Sequence, residues 1–298
     1  MTVRAGESLY SPVRTDADGT VTVELGESHP GFADPIYRAR RDAIASLAVG
    51  HVVGEPIPAV AYSAEEHEVW QIVSRELATK HRVYATRAYL DGAAALALPR
   101  DHIPQLGDVS ARLAPISGFC YEPVAGLAPL RAFYGSFARG VFFSTQYIRH
   151  HSSPLYTPEP DIVHEVIGHA NQLADPHTAR LYRLVGDAVS RVETDVALRL
   201  LSRVFWFTFE FGVVEEAGEL KTYGAGILSS FGELDEFRDA EIRDLDFAAM
   251  ARVDYDITRY QPVLFAARSM TEVHDALDAF LTGFTDETAA RLMSTPER

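Results

Sequence analysis

Cysteine is nearly absent: Cys120 is the single one in 298 residues. That excludes an internal disulfide framework and any site built from several thiolates of one chain, and it suits a reducing compartment such as the cytoplasm. No run of about 18 uncharged apolar residues occurs, the length that marks a membrane-crossing helix. Residues 1–31 lack the positively charged start and apolar stretch of a secretory leader, so neither secretion nor membrane insertion is expected. Positive charge is scarce as well. Against 42 Asp+Glu stand 27 Lys+Arg, a net charge of −15, which argues against nucleic acid or an anionic membrane as the main partner. There is no internal repeat and no low-complexity tract. What the chain does have is 47% hydrophobic residues, enough at this length for one large core or a domain with a modest appendage.

Helical spacing dominates. Residues 1–29 show no strong periodicity and read as a loosely held arm with a short strand at 21–25, leaving 30–298 as the main domain. From Asp34 to Gly50, Tyr37, Ala39, Ile44, Leu47 and Ala48 recur at helical intervals. Ser63 with Glu66 three residues later forms a capping box for a helix running to about His81. Residues 85–98 read as a third helix, and Asp108 or Ser110 opens a short one within 102–117. β-favouring stretches lie at 119–127 and 141–148, on either side of a helix-like 129–140. Residues 178–215 read as one or two long helices, 223–234 as a glycine-rich loop, 236–251 and 269–281 as helices, and 255–265 as an irregular or extended link.

Three prolines in 152–160 impose an irregular loop, and it leads into His164-Glu165-Val166-Ile167-Gly168-His169, two imidazoles and a carboxylate in an apolar run. This reads as a metal site. The zinc-protease signature places its histidines four apart on one helical face; here they are five apart, roughly 140° from each other at about 3.6 residues per turn. Gly168 can end or loosen the helix and let His169 swing back. Glu165, next to His164, faces elsewhere on a helix and suits a supporting or general-base role. Glu210 lies inside the apolar run 204–214, where an unpartnered carboxylate would cost several kcal/mol. Either an arginine such as Arg203 or Arg149 meets it, or it completes a two-histidine-one-carboxylate triad of the kind that serves non-haem iron oxygenases. Spacing alone does not choose.

From Asp34 to about Asp278 the chain resembles the catalytic domain of the aromatic amino acid hydroxylases, the pterin-dependent iron enzymes that include phenylalanine 4-hydroxylase. The likeness is carried by Asp34-Pro35-Ile36-Tyr37-Arg38-Ala39-Arg40-Arg41, Pro123-Val124-Ala125-Gly126-Leu127, Ser144-Thr145-Gln146-Tyr147-Ile148-Arg149-His150, Tyr156-Thr157-Pro158-Glu159-Pro160-Asp161-Ile162 with the histidine motif, Phe205-Trp206-Phe207-Thr208-Phe209-Glu210-Phe211-Gly212, and 223–234. The resemblance implies a mainly α, basket-like single catalytic domain with a little β structure. It implies iron(II) held by His164, His169 and Glu210; Arg149 on the substrate carboxylate, with Thr157 and Ser229 near it; Pro160 and Trp206 against the substrate ring; and Phe133, Gly126, Leu127 and Glu165 on the pterin. Glu165 and Ser229 are placed closest to the chemistry, with Ser230 and Glu233 in support. Tetrahydrobiopterin or a related reduced pterin would donate two electrons while dioxygen hydroxylates an aromatic L-amino acid.

Several residues depart from the family pattern. Ala170-Asn171-Gln172 stands where Val-Pro is common, Phe143 where many phenylalanine hydroxylases have histidine, and Phe205 where they have tyrosine. Trp206 suits a phenylalanine pocket, whereas Ile257 resembles the tryptophan hydroxylases. Phenylalanine is the expected substrate, with ring position 4 ahead of 3 and tryptophan as a further alternative. A cytoplasmic monomer or dimer without a tetramerisation helix is expected. The rival classes are a zinc hydrolase using the same His/His/Glu set with Glu165 as base, and a metal-binding or partner-binding protein without catalysis.

Overall fold

A computed structural model describes residues 12–126, 128–255 and 259–294. Local signals start the helices where expected. The Asp34 side chain accepts from the amides of Ile36 and Tyr37, with Pro35 at the first position of Pro35–Val49. Ser63 and Glu66 close a full capping box on Ala64–Tyr84. The helix Leu106–Ser117 begins ahead of Asp108 and without a side-chain cap. Gln105, which precedes it, instead bonds both the N–H and C=O of Val60 at 2.9 Å.

Helices make up most of the domain, and the strands among the described residues form three small sheets. Val13–Thr15 and Val21–Val23 pair antiparallel. The arm is thus not loosely held from residue 12 onward: Val21, Val23 and Leu25 bury against Ala45, with half-buried Ala125 at the same cluster, and Val23 N–H donates to Asp42 at 2.7 Å. Cys120–Pro123 and Val141–Ser144 pair in parallel across the helix Leu130–Ser136. The third sheet runs Glu219–Thr222, Val213–Glu216, Val263–Ala267, Glu241–Asp244. Residues 241–244 and 225–229 differ from the sequence expectation in opposite senses. The first is a strand because it finds a parallel partner in Val263–Ala267, a tertiary pairing that outweighs local propensity. The second is a short helix rather than a loop. Long-range packing decides both.

The histidine segment differs most. Gly168 does not end the helix: Val163–Ala170 is a π-helix that continues into Asn171–Leu173. A π-helix bonds residue i to i+5, so residues five apart lie one above the other and the awkward spacing becomes the fitting one. A second π turn spans Trp206–Glu210, closed by Phe211 N–H to Trp206 O at 2.9 Å. Gly168 is needed for another reason. A Cβ there would sit 2.9 Å from Ala225 O and 3.2 Å from Ala225 Cβ, so the side-chain-free position lets Ala225–Ser229 lie against the histidine helix. Gly168→Ala is expected to destabilise the fold by about 1–3 kcal/mol through this overpacking, read as a lower urea midpoint at unchanged slope.

Candidate metal centre

The two π segments aim three donors at one point. Nε2 of His164 and Nε2 of His169 are 3.0 Å apart, and the carboxylate oxygens of Glu210 lie 3.6 Å and 3.2 Å from them. Each imidazole is tied down through its other nitrogen. Ser229 Oγ donates to Gly226 O at 3.2 Å and so accepts from His164 Nδ1 at 2.9 Å. His169 Nδ1 lies 2.8 Å from the hydroxyl of Tyr182. With the ring protons on Nδ1, both Nε2 lone pairs face inward beside a carboxylate. That is the donor set a mononuclear ion such as iron(II) accepts on one face, leaving other positions for exogenous ligands, so the residues fit a metal. The His169 side chain is 1% exposed, whereas His164 and Glu210 are 13% and 12% exposed, which puts the mouth of the site on their side.

Among the described residues no arginine pairs with Glu210. Arg203 pairs with Asp254 at 2.9 Å and Arg149 with Asp161 at 2.8 Å. Burial alone would raise the Glu210 carboxyl, but the imidazoles of His169 and His164 outweigh it and hold the group below its ordinary value. Burial pulls His164 down to about 4, against the opposing pull of Glu210. For His169 the same burial is overcome by Glu210, which raises it. Two imidazolium charges 3.0 Å apart would repel each other strongly. A cation competes with protons for these ring nitrogens, and its binding therefore weakens as pH falls.

Around this centre the structure gathers several of the expected residues. Glu165 is buried and keeps a carboxylate oxygen within 4.8 Å of the donors of both histidines, so it faces the same space rather than away from it, and Thr145 Oγ1 donates to it at 3.4 Å. Arg149 grips Asp161 through Nε and Nη2 at 2.9 and 2.8 Å, using two of its five N–H donors. Asp161 also accepts from the backbone N–H of His164 at 3.4 Å, which couples the arginine to the start of the π-helix. Trp206 stacks on Tyr255 at 4.5 Å and leans on Phe211 at 4.4 Å. Thr157 and half-buried Pro160 lie in the preceding loop, where the Thr157 hydroxyl donates to Glu159 O at 2.8 Å and Pro160 O accepts from Tyr147. Phe133 is half-buried and meets Phe142 edge-on at 5.6 Å. Gly126 is half-buried and Phe143 likewise, while Leu127 and Ile257 fall outside the described residues.

Four residues that sequence reasoning did not single out as members complete the arrangement: Asp161, Tyr182, Gln172 and Gln261. Asp161 lies inside a quoted motif. Gln172 lies in the Ala170-Asn171-Gln172 departure, the signal that could have marked it. Gln261 Oε1 accepts from the Trp206 indole N–H at 3.2 Å, and its own backbone N–H donates to Glu233 at 3.0 Å.

A two-histidine-one-carboxylate cluster inside a mainly helical domain is the arrangement of a mononuclear non-haem oxygenase. The chain belongs to the biopterin-dependent aromatic amino acid hydroxylases, the family whose sequence profile matches residues 18–292. It is 48% identical to phenylalanine 3-hydroxylase of Streptomyces coeruleorubidus, over 91% of this chain and 97% of that protein. It is 40% identical to rat phenylalanine-4-hydroxylase over 86% of this chain but only 58% of the rat protein. Phenylalanine hydroxylase of Chromobacterium violaceum, solved with iron(III) and 7,8-dihydrobiopterin bound, superposes with a TM-score of 0.73 at 28% identity, over 80% of this chain and 90% of that one. Membership of a hydroxylase family leaves the zinc-hydrolase and non-catalytic readings without support. Among the described residues no helix is long and apolar enough to cross a membrane.

Burial raises the Glu233 carboxyl from 4.5 to about 7, against the backbone N–H of Gln261. Between those values the folded state binds the extra proton, so this group makes stability fall as pH rises from 4.5 to about 7. Glu233→Gln removes that decline. Relative to wild type it should gain up to about 3 kcal/mol between about pH 5 and about pH 8, measured as the difference in urea-unfolding free energy at the two pH values. An unchanged difference would mean that Glu233 ionises normally.

Proposed function

We propose that the protein is an iron(II)- and tetrahydropterin-dependent monooxygenase that hydroxylates the ring of L-phenylalanine, at position 3. The observation that carries the iron assignment is the convergence of His164 Nε2, His169 Nε2 and Glu210, with both Nδ1 atoms tied to hydroxyls. Position 3 is preferred over position 4 because the similarity to the Streptomyces phenylalanine 3-hydroxylase is the higher one and extends over nearly all of that protein. Phe143, which stands where many phenylalanine hydroxylases have histidine, removes a polar group near the pterin side of the site and so bears on which ring carbon is attacked.

Bound iron and reduced pterin would supply dioxygen activation and its two electrons. The chain's own part is binding, orientation and exclusion of water. Arg149, held rigid by Asp161, offers its remaining N–H donors to the amino acid carboxylate, the bidentate geometry at which arginine excels. Thr157 and Ser229 stand by that carboxylate, and Ser229 also fixes the His164 ring. Trp206, held by its contacts with Tyr255 and Phe211 and by its bond to Gln261, makes with Pro160 an apolar wall for the substrate ring. Phe133 would supply a stacking face for the pterin and Glu165 a carboxylate acceptor, with Gly126 and, by the family resemblance, Leu127 as its backbone contacts. The hairpin packing on residue 45 and a family match that starts at residue 18 support counting the described part of the arm with residues 30–298 as one catalytic unit.

Purified protein supplied with iron(II), reduced pterin and phenylalanine, tyrosine or tryptophan should give meta-tyrosine from phenylalanine, with the ring position assigned by NMR. His164→Ala should bind no iron and make no product. Para-tyrosine would move the assignment to position 4, and no hydroxylation of any of the three amino acids would overturn the reading.

A further inference from the structure

One chain of polar contacts in the core serves no evident packing need. Gln172 and Tyr182 are 4% and 0% exposed, and Tyr182 is surrounded by rings: Phe119, Phe137, Phe142, Phe205 and Phe209, with centroids 4.6–6.4 Å away. Phenylalanine at 182 would fill this space without burying a hydroxyl that needs partners. The contacts run in one direction only. Gln172 Nε2 donates to Phe209 O at 2.9 Å and to Tyr223 O at 2.8 Å, which uses both amide protons and fixes which end is oxygen. Gln172 Oε1 therefore accepts, and it accepts the hydroxyl proton of Tyr182. With its proton committed there, the Tyr182 oxygen faces His169 Nδ1, 2.8 Å away, as an acceptor. The His169 ring proton is thus held on Nδ1 and the lone pair on Nε2, beside His164 Nε2 and Glu210. The two carbonyls that begin the chain belong to the residue before Glu210 and to the segment leading into Ala225–Ser229, so one amide fastens the surroundings of all three donors.

We propose that Gln172 and Tyr182 are positioning residues that select the Nδ1–H tautomer of His169 and thereby set the affinity of the site for its metal. The inference rests on the reading of His169 as a ligand. His164 is oriented by a different device, the single hydroxyl of Ser229. Loss of the Tyr182 hydroxyl should therefore act through His169 alone.

The test uses the full chain, stripped of metal by chelation and titrated with cobalt(II) followed by absorption. Tyr182→Phe and Gln172→Met should each weaken cobalt(II) binding about 10- to 100-fold. The double variant should be little worse than Gln172→Met alone, because the two side chains act on the same proton. At alkaline pH, where the ring is neutral, long-range nitrogen NMR of the metal-free wild type should show His169 with its proton on Nδ1. In Tyr182→Phe that proton should move toward Nε2, a change that loss of packing alone would not cause. His169→Ala separates the two layers of the argument. If it binds cobalt(II) like wild type, the ligand reading fails. If it loses the metal while Tyr182→Phe and Gln172→Met bind like wild type, or bind more weakly in an additive way, the relay fails. Thermal unfolding checks that the variants fold. If they do not, the wild-type tautomer decides, and an Nε2–H ring would overturn the proposal.

Discussion

A carboxylate held inside an aromatic core is the constraint to which the rest of this molecule answers. Glu210 follows a run of Phe, Trp and Thr side chains that are almost wholly buried, and a buried charge without a partner would cost several kcal/mol. The arginines that might have met it are engaged elsewhere, Arg203 at the surface with Asp254 and Arg149 with Asp161. Two imidazoles must come to it instead, and bringing them together, close enough that two charges on them would repel strongly, leaves a cluster whose natural occupant is a cation.

The helix types follow from that demand. An α-helical 163–170 would splay the two rings, and an α-helical 206–210 would turn the carboxylate. Both segments take the wider π turn, a form often seen at functional sites. Their neighbours hold them there. Tyr121 and Tyr89 hydroxyls donate to the carbonyls of Glu165 and Ile167 at 2.7 and 2.8 Å, and Asn171 adds a second bond to Ile167 O at 3.0 Å. Gly224 completes the packing: a Cβ there would fall 2.3 Å from Glu210 O, so the strand-to-helix link can lie directly on the carboxylate turn.

Much of this was legible in the chain. Capping residues at Asp34 and Ser63 act locally, and the structure uses them as read. The isolation of Glu210 among apolar residues made a metal triad one of two physical solutions, and the family resemblance selected it. What escaped was whatever depends on partners far away in sequence. The strand Glu241–Asp244 exists because Val263–Ala267 lies beside it. The helix Leu106–Ser117 starts without its expected cap because Gln105 turns to Val60. The roles of Tyr182 and Gln172 could not be read from periodicity, since a tyrosine in a buried helical stripe looks like core until the atom beyond its hydroxyl is known. Gly168 was read as ending or loosening the helix; the helix does not end there but widens into a π turn.

The π geometry also bears on how such a site can change over generations of sequence. A ligand pair five apart is self-consistent on a π turn, and a pair four apart is self-consistent on an α-helix. Removing one residue between His164 and His169 would therefore not simply break the pair, because it shifts both spacing and helix type toward the other solution. Everything beyond the deletion would rotate out of register, including Gln172, which ties the helix to the carbonyls of Phe209 and Tyr223. The length of the histidine segment is thus as much a part of the site as the ligands it carries.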